Sequence, residues 1–588
     1  MNGDEKYPTS TASRRKFLSA GLSGAASLVA ASTVGHAPAS AAMPPSWVRE
    51  SDIIIVGTGA AASSAAVAAV DRGCSVVMVE KGPTFGGTSA KSDGGMWVPN
   101  NRFLRANGQV DPKEDALRYM ARCSRPNLYR EKAPFFGLPE FEYSLMEAFY
   151  DNASETYEFL DAVGALQTMS KSLPDYLATP IDKLPIGRML TSKQPNGNNG
   201  SGAEIIRQFK TWIETKKVTV LMKHRARALI RNVKGEIVGL RVLGSDGQEV
   251  SLRARKAVIF ASGGYAHNES MIRNFQPGPI YGSCAVPTSE GDFVTIAQAA
   301  GAKLGNMVNA WRMQLVLEHT LEMRSVPAGL WQPPGDSMII VNKFGRRVVN
   351  EKHNYHDRAR VHFDWDPNVG EYPNQFLFMI YDRRVAELYA SDFPLPAAGS
   401  DASYVMKAET LDDLGKAIQA RLDKNVGEWG EVRLKNFSDT LRKTIANFDR
   451  YAKTGTDEEF QRGSFVWDVS LQSLYPQQTG TSWKTGEMPS ATMHPFQPKG
   501  PYYAIILASG VLDTNGGPVI NSKAQILDLS DTPIPGLYGA GNCISSPAAQ
   551  AYWGPGTTLG LAITYGNLAG VNSANEPVKD AANLPVSA

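Results

Sequence analysis

Two glycine-rich segments at opposite ends of a chain of 588 residues could hold one nucleotide. The first, Gly57-Thr58-Gly59-Ala60-Ala61-Ala62, follows the apolar run Ile53-Ile54-Ile55-Val56. Gly57 permits a tight turn, Gly59 lets the backbone approach a pyrophosphate, and Ala62 takes the third small position, where strand and helix pack closely. The helix expected from Ala60 to Val70 then offers free N–H groups and its dipole to the phosphates. Glu80 closes the run Val76-Val77-Met78-Val79, at about the ~20-residue spacing of a ribose-binding acid. The second segment is Gly539-Ala540-Gly541-Asn542. NAD-dependent enzymes usually complete their cofactor site in one local stretch. A site closed from both ends points to FAD, tightly held and buried.

Further residues join the candidate cofactor set. Lys81 follows Glu80. The loop Gly86 to Gly95 is rich in glycine and hydroxyl residues and supplies Gly87, Thr88, Ser89, Gly94 and Gly95. A second buried strand, Lys256 to Phe260, ends in small residues including Ala261 and Gly263. Gly541, Asn542 and Leu559 close the set, Leu559 near the start of a helix expected from Thr558 to Gly570.

These residues need a parallel sheet of apolar strands with helices between them. The fold class expected is α/β: a Rossmann-type FAD-binding domain built from N- and C-terminal segments, with an inserted α+β substrate (cap) domain. The expected segments are residues 48–304 and 491–572 for the nucleotide domain, 305–490 for the insert and 573–588 for a flexible tail. Between 305 and 490, Trp, Pro, His and charged residues become denser and the parallel-strand pattern fades. The apolar run Tyr502 to Leu507 is expected to resume the nucleotide-binding sheet. Glu114 to Val163 reads as helical, broken near Pro134, and Val218 to Val250 as strands with turns at Gly235 and Gly247.

Composition narrows the function classes. Lys+Arg number 60 against Asp+Glu 58, with no basic stripe, so nucleic acid is not an expected partner. The cysteines Cys74, Cys123, Cys284 and Cys543 lack metal-ligand or disulfide spacing and read as buried thiols; no metal is expected. Residues 1–42 read as an export signal. Ser13-Arg14-Arg15-Lys16-Phe17-Leu18 is a twin-arginine motif, Ala20 to Ala31 a mild apolar stretch, and Ala39-Ser40-Ala41 a small-residue cleavage site. The twin-arginine export machinery carries folded proteins. The expected location is therefore periplasmic or extracytoplasmic, reached with FAD already loaded.

With these segments in place the chain resembles the FAD-dependent 3-ketosteroid Δ1-dehydrogenases, within the fumarate reductase-type flavoprotein superfamily. The resemblance runs from Ser51 to Gly570. The superfamily motifs are Gly57-Thr58-Gly59, Glu80-Lys81, Phe85-Gly86-Gly87-Thr88-Ser89, Ala261-Ser262-Gly263-Gly264 and Gly539-Ala540-Gly541-Asn542. Leu173-Pro174-Asp175-Tyr176, the stretch Arg346 to Tyr355, and Ala551-Tyr552-Trp553-Gly554-Pro555-Gly556 resemble segments carrying the family's active site. The resemblance implies four catalytic positions: Tyr355 as base, Tyr176 sharing its proton, and Tyr552 with the Gly556 N–H holding a ketone oxygen. A tyrosine base needs its pKa lowered from about 10. Trp553 stands where the family has proline, and with Arg312 it forms a candidate substrate-pocket pair. His353, His356 and His494 match no motif and read as packing or surface residues. Tyr502 and Tyr503 read as structural or flavin-adjacent.

The implied activity introduces a carbon–carbon double bond beside a cyclic ketone, most plainly 3-oxosteroid 1-dehydrogenation. A quinone or cytochrome would accept the electrons. Three alternatives stand beside it. One is a dehydrogenase of a smaller keto acid such as 4-oxocyclohexanecarboxylate, suggested by Arg312. Another is a fumarate reductase-like enzyme. It is disfavoured because Leu512 to Gly517 and Ile544 to Gly556 contain no Arg or His to hold a dicarboxylate. The last is a non-catalytic flavin carrier.

Overall fold

The computed structural model describes residues 46–178, 181–184, 186–424, 430–475, 477–479, 481–581 and 584. The export segment expected over 1–42 lies outside the described residues. Ile53 to Val56 are all buried. They end the strand Trp47–Val56, which lies inside an eight-stranded sheet. Val76–Glu80 runs parallel to it on one side and Glu249–Phe260 on the other. Thr219–Met222 extends the sheet beyond Val76–Glu80. Pro533–Gly539 runs parallel to Glu249–Phe260, so the far end of the chain enters the sheet begun by the near end. The register sets Val56 beside Val79 and Phe260, and Phe260 beside Gly539. The loops carrying Gly57, Ala261 and Gly541 therefore leave one edge together. Ligands bind at such carboxyl edges in open parallel sheets.

The helix Ala60–Asp71 packs against the C-terminal helix Thr557–Ala574 through small residues. A Cβ on Gly566 would sit 2.3 Å from the Ala61 carbonyl oxygen, and one on Gly570 would sit 2.4 Å from that of Ala65. The two backbones meet at glycine and alanine, which fixes the N-terminus of the first helix against the sheet edge. The helices Lys113–Ser124 and Glu140–Ala162 follow the expected pattern, with a short 3-10 turn at Pro134–Gly137 between them.

A second, mainly antiparallel sheet of six strands centres on Tyr502–Thr514. Ala310–Val316, Phe376–Asp382 and Val405–Ala408 pair with it antiparallel, and short Gly282–Ser283 pairs parallel. Met338–Val341 lies beyond Phe376–Asp382. This corrects the expectation that Tyr502 to Leu507 resumes the nucleotide-binding sheet; that sheet resumes at Gln525–Leu527 and Pro533–Gly539. A central strand buried on both faces reads as one apolar run in either kind of sheet, so the pattern alone could not place it. Tyr502 and Tyr503 are structural: Tyr502 donates to the Gln497 carbonyl, and Tyr503 stacks on Tyr381.

The tail also differs from expectation. The last helix continues to Ala574, and the Lys579 N–H donates to the Arg255 carbonyl at 2.8 Å. Lys579 is buried, with its ammonium on Glu576 and the Lys256 carbonyl. The segment as far as Lys579 is thus docked on the nucleotide-binding sheet rather than free. Among the described residues, no helix is long and apolar enough to cross a membrane.

Candidate active site

A groove follows the carboxyl edge of the first sheet. Gly57, Gly59, Ala60, Ala61, Glu80, Lys81, Gly87, Thr88, Ser89, Ala261, Gly263, Gly541, Asn542 and Leu559 all line it. Gly57 has φ +110°, and a Cβ there would lie 2.4 Å from the Ala261 carbonyl oxygen, so only glycine fits the turn. No side chain caps the helix that begins at Ala60, although the Ala60 N–H donates to the Ser89 hydroxyl at 3.1 Å. Glu80 accepts from the Thr58 hydroxyl at 2.7 Å and from the Gly82 N–H at 2.6 Å. A carboxylate has about four acceptor sites, so lone pairs remain for ribose hydroxyls. Lys81 is held by Glu290 and Asp292 at 2.9 and 2.8 Å. A floor of glycine and alanine, an open helix N-terminus and an acid at the second strand's end fit FAD.

Three expected cofactor residues sit elsewhere. Ala62 is fully buried and packs beneath the groove without lining it. Gly94 and Gly95 line a neighbouring cavity of about 480 Å³. Groove and cavity share Thr88, Ser89, Asp513, Asn542, Thr558 and Leu559 as a common wall.

That cavity gathers Tyr176, Tyr355, Tyr552 and Gly556 from three distant parts of the chain. The ring centroids stand 5.8 Å apart for Tyr176 and Tyr355, 5.4 Å for Tyr176 and Tyr552, and 5.5 Å for Tyr355 and Tyr552. Tyr552 accepts from the Thr558 hydroxyl at 3.1 Å. The Tyr176 hydroxyl is buried and has no hydrogen-bond partner. Burial pushes the Tyr552 hydroxyl up, and Thr558, Tyr355 and the Gly556 N–H draw it partly back. Burial pushes Tyr355 well above its ordinary range, and Tyr176 and Tyr552 raise it further. Tyr176 is raised by burial and then by Tyr552, and is drawn partly back by Tyr355 and Trp331. The lowering expected for a tyrosine base is therefore absent: burial dominates at all three rings. Among the described residues Lys91 is the one basic residue lining the cavity, and its ammonium donates to the Ser325 hydroxyl and the Val326 carbonyl.

Each tyrosine is positioned by its surroundings. Tyr355 opens a one-turn helix capped by the Asn354 side chain, which accepts from the Asp357 N–H at 2.9 Å. Buried Arg358 ties that turn to Gln314 at 2.7 Å and to the Leu330 carbonyl at 2.7 Å. Tyr176 follows Asp175, which accepts from the Trp97 indole at 2.8 Å and from Arg188. Arg188 also holds Asp111 and Asp182, and its side chain and those of all three carboxylates are no more than 2 % exposed. Such a paired cluster tolerates burial only as a unit. Gly556 has φ +95°, and a Cβ there would lie 2.3 Å from the Gly95 carbonyl carbon and the Met96 nitrogen. Only glycine fits that turn of the cavity wall.

Two pocket expectations are corrected. Trp553 does not line the cavity; it is fully buried against Trp97 and Phe149 and donates to the Ser124 hydroxyl at 3.0 Å. The large ring fills the core beneath the tyrosine loop. Arg312 is also absent from the cavity wall and faces a separate one. In a strand, alternate side chains point to opposite faces, and Met313, its neighbour, lines the tyrosine cavity instead. His356 is buried, lines the same separate cavity as Arg312, and has its ring 5.8 Å from that of Tyr552.

Sequence reasoning missed Asp513 as a site residue. It is buried where groove and cavity meet and accepts from the Gly264 N–H at 2.9 Å and the Ser289 hydroxyl. Burial pushes its carboxyl up to about 6. It also missed Cys284, Lys91 and Asp392 in the cavity wall. None belongs to a local motif; only the second sheet brings Cys284 and Asp513 side by side with the flavin groove.

A family model described as FAD binding domain matches residues 52–559. The chain is 27% identical over 557 residues to 4-oxocyclohexanecarboxylate 2-dehydrogenase of Sinomonas cyclohexanicum, covering 88% of this chain and 92% of that protein. It is 27% identical to 3-oxosteroid 1-dehydrogenase of Mycolicibacterium smegmatis, covering 90% and 97%. Its fold matches the crystal structure of 3-ketosteroid delta1-dehydrogenase from Sterolibacterium denitrificans in complex with 1,4-androstadiene-3,17-dione. The TM-score is 0.74 and the identity 24%, over 90% of this chain and 99% of that one. The chain belongs to the FAD binding domain family and is a FAD-dependent oxidoreductase related to the 3-oxosteroid 1-dehydrogenases and to 4-oxocyclohexanecarboxylate dehydrogenase.

Proposed function

We propose that this chain removes hydrogen from the carbon–carbon bond beside a ring ketone, with 3-oxosteroids as the substrate class. One observation carries the reading: Tyr176, Tyr355, Tyr552 and Gly556 share a cavity whose wall is also the wall of the FAD groove. The Tyr552 hydroxyl and the Gly556 N–H hold the ketone oxygen, which gains negative charge as the adjacent carbon loses its proton. Tyr355 takes that proton in its tyrosinate form, and the Tyr176 hydroxyl donates a hydrogen bond to that tyrosinate. Bound FAD supplies the hydride acceptor.

The cavity supports an uncharged, bulky ring system. Its volume of about 480 Å³ falls in the ~300–1,000 Å³ range of pockets for drug-sized ligands. Met189, Met313, Trp331, Phe393 and Leu512 give it apolar walls. Asp93, Asp392 and Asp513 line it against Lys91 alone, which disfavours a carboxylated substrate. A smaller keto acid is the second reading, favoured by Lys91. Dicarboxylate reduction lacks support, because among the described residues no Arg or His lines this cavity. We further propose a quinone or cytochrome as electron acceptor, the 305–490 region as a cap over the substrate, and export by the twin-arginine route.

The experiment mixes purified, FAD-loaded protein anaerobically with 3-ketosteroids and with 4-oxocyclohexane acids. The proposal predicts loss of flavin absorbance with the steroids. Bleaching by the acids alone would move the assignment to the second reading. Bleaching by neither would remove both.

A further inference from the structure

A second cavity, of about 430 Å³, shares no lining residue with the tyrosine cavity. Arg312, Arg360, Asn309 and Gln550 line it, and so does His356. Arg312 is 7% exposed. Its Nη2 donates to Gln276 Oε1 at 3.2 Å and to the Val308 carbonyl at 2.9 Å. Its Nη1 is buried and has no hydrogen-bond partner. The guanidinium lies 4.4 Å from the Phe363 ring centroid, and among the described residues no carboxylate pairs with it. The acid in this cavity, Asp364, accepts from Asn374 instead. Arg360 adds a second positive charge, 3.9 Å from Asp357 and hydrogen-bonded to Gln550 at 3.1 Å.

A buried cation is costly unless something pairs with it. Here the partner is missing while space for one is present. We propose that this cavity is an oxyanion-binding site, in which Arg312 and Arg360 hold a carboxylate or phosphate group of a small molecule. Burial and then Arg360 push the Arg312 guanidinium down to about 10, so it remains charged near neutrality and gains from an anion beside it. Asn309 and Gln550 offer amide groups to the remaining oxygens.

The site lies next to the catalytic cluster without being part of it. The Arg312 N–H donates to His356 Nδ1 at 3.1 Å, and His356 Nε2 then donates to the Gln550 carbonyl at 2.9 Å. The same imidazole packs on Tyr552, and Trp311 stands 5.0 Å from the Tyr552 ring. An anion bound at Arg312 is thus one residue away from the groups that touch the substrate.

The test uses holoenzyme, whose pyrophosphate groove is filled by FAD, in a buffer of low oxyanion content. Inorganic phosphate and acetate are titrated separately by calorimetry, with chloride as the ionic-strength control. One saturable site is expected for at least one of them, and the tighter probe distinguishes phosphate from carboxylate as the recognised group. Arg312→Gln should weaken that site by about tenfold or more, since a charge-assisted hydrogen bond is lost. Arg360→Gln, at a half-exposed position, should weaken it severalfold and carries the test should Arg312→Gln fail to fold. Absence of saturable binding by either anion to wild type, or unchanged affinity in Arg360→Gln, would overturn the proposal. Failure of ketones to bleach the flavin would leave it standing, because the readout is anion binding.

Discussion

Replacing Tyr552 with phenylalanine removes one oxygen and keeps a ring that packs 5.4 Å from Tyr176, 5.5 Å from Tyr355 and 5.0 Å from Trp311. The Thr558 hydroxyl loses the acceptor it has at 3.1 Å, and the Gly556 N–H remains as the one oxygen-directed donor of the proposed pair. Two magnitudes separate ground state from transition state. A hydrogen bond to a neutral ketone contributes roughly 0.5–1.5 kcal/mol net, which is a loss of about 2- to 12-fold in substrate affinity. A donor aimed at a developing oxyanion contributes roughly 2.7–4 kcal/mol, which is a loss of about 10²–10³ in rate. Anaerobic rapid mixing gives both numbers, the affinity from the dependence on ketone concentration and the rate from the limiting loss of flavin absorbance. Tyr552→Phe should lower the limiting rate by about 10²–10³-fold, with affinity changed by about 2- to 12-fold. An affinity loss as large as the rate loss would mean that Tyr552 only binds the ketone. A wild-type rate would mean that the oxygen is held elsewhere.

Tyr355→Phe should leave the ketone grip intact, so substrate still perturbs the flavin spectrum, while reduction slows by roughly 10²–10⁴-fold; reduction at the wild-type rate would dismiss Tyr355 as the base. Because burial holds the Tyr355 hydroxyl above its ordinary range, its ionised fraction rises with pH throughout the accessible range. The limiting reduction rate of wild type should therefore climb without a plateau below about pH 10, and a plateau near neutrality would require a different base. Glu80→Ala should increase the fraction of protein that purifies without FAD, read from the ratio of flavin to protein absorbance; full occupancy would show that Glu80 serves only Thr58 and Gly82. Arg14→Lys combined with Arg15→Lys should leave a folded, FAD-loaded chain in the cytoplasm by fractionation, and unchanged export would point to another route.

The nucleotide half of the fold was readable because its signals are local. Gly57, Gly59 and Glu80 each have a fixed place relative to one strand and one helix, and the structure puts all three on one groove. The second sheet was not readable in the same way. Tyr502 to Thr514 is apolar on both faces, and such a run does not reveal whether its neighbours are parallel or antiparallel. The tyrosine trio was reached through resemblance, since no spacing within the sequence links Tyr176, Tyr355 and Tyr552. What holds them was invisible: Arg188 with Asp111, Asp175 and Asp182 is a set of ordinary charges until folding buries them together. Arg312 lies outside the cavity that its neighbour Met313 lines because successive side chains of a strand point to opposite faces. Trp553, next to Tyr552, is taken up instead by packing on Trp97 and Phe149.

The most direct measurement is a single anaerobic turnover with product identification. FAD-loaded protein is mixed with one equivalent of a 3-oxosteroid saturated at the bond beside the ketone, and the mixture is separated and analysed by mass and ultraviolet spectrum. The account predicts one molecule of ketone with a new conjugated ring double bond, two hydrogens lighter, for every flavin bleached. Bleached flavin with the steroid recovered unchanged, or a product altered away from the ketone ring, would contradict it.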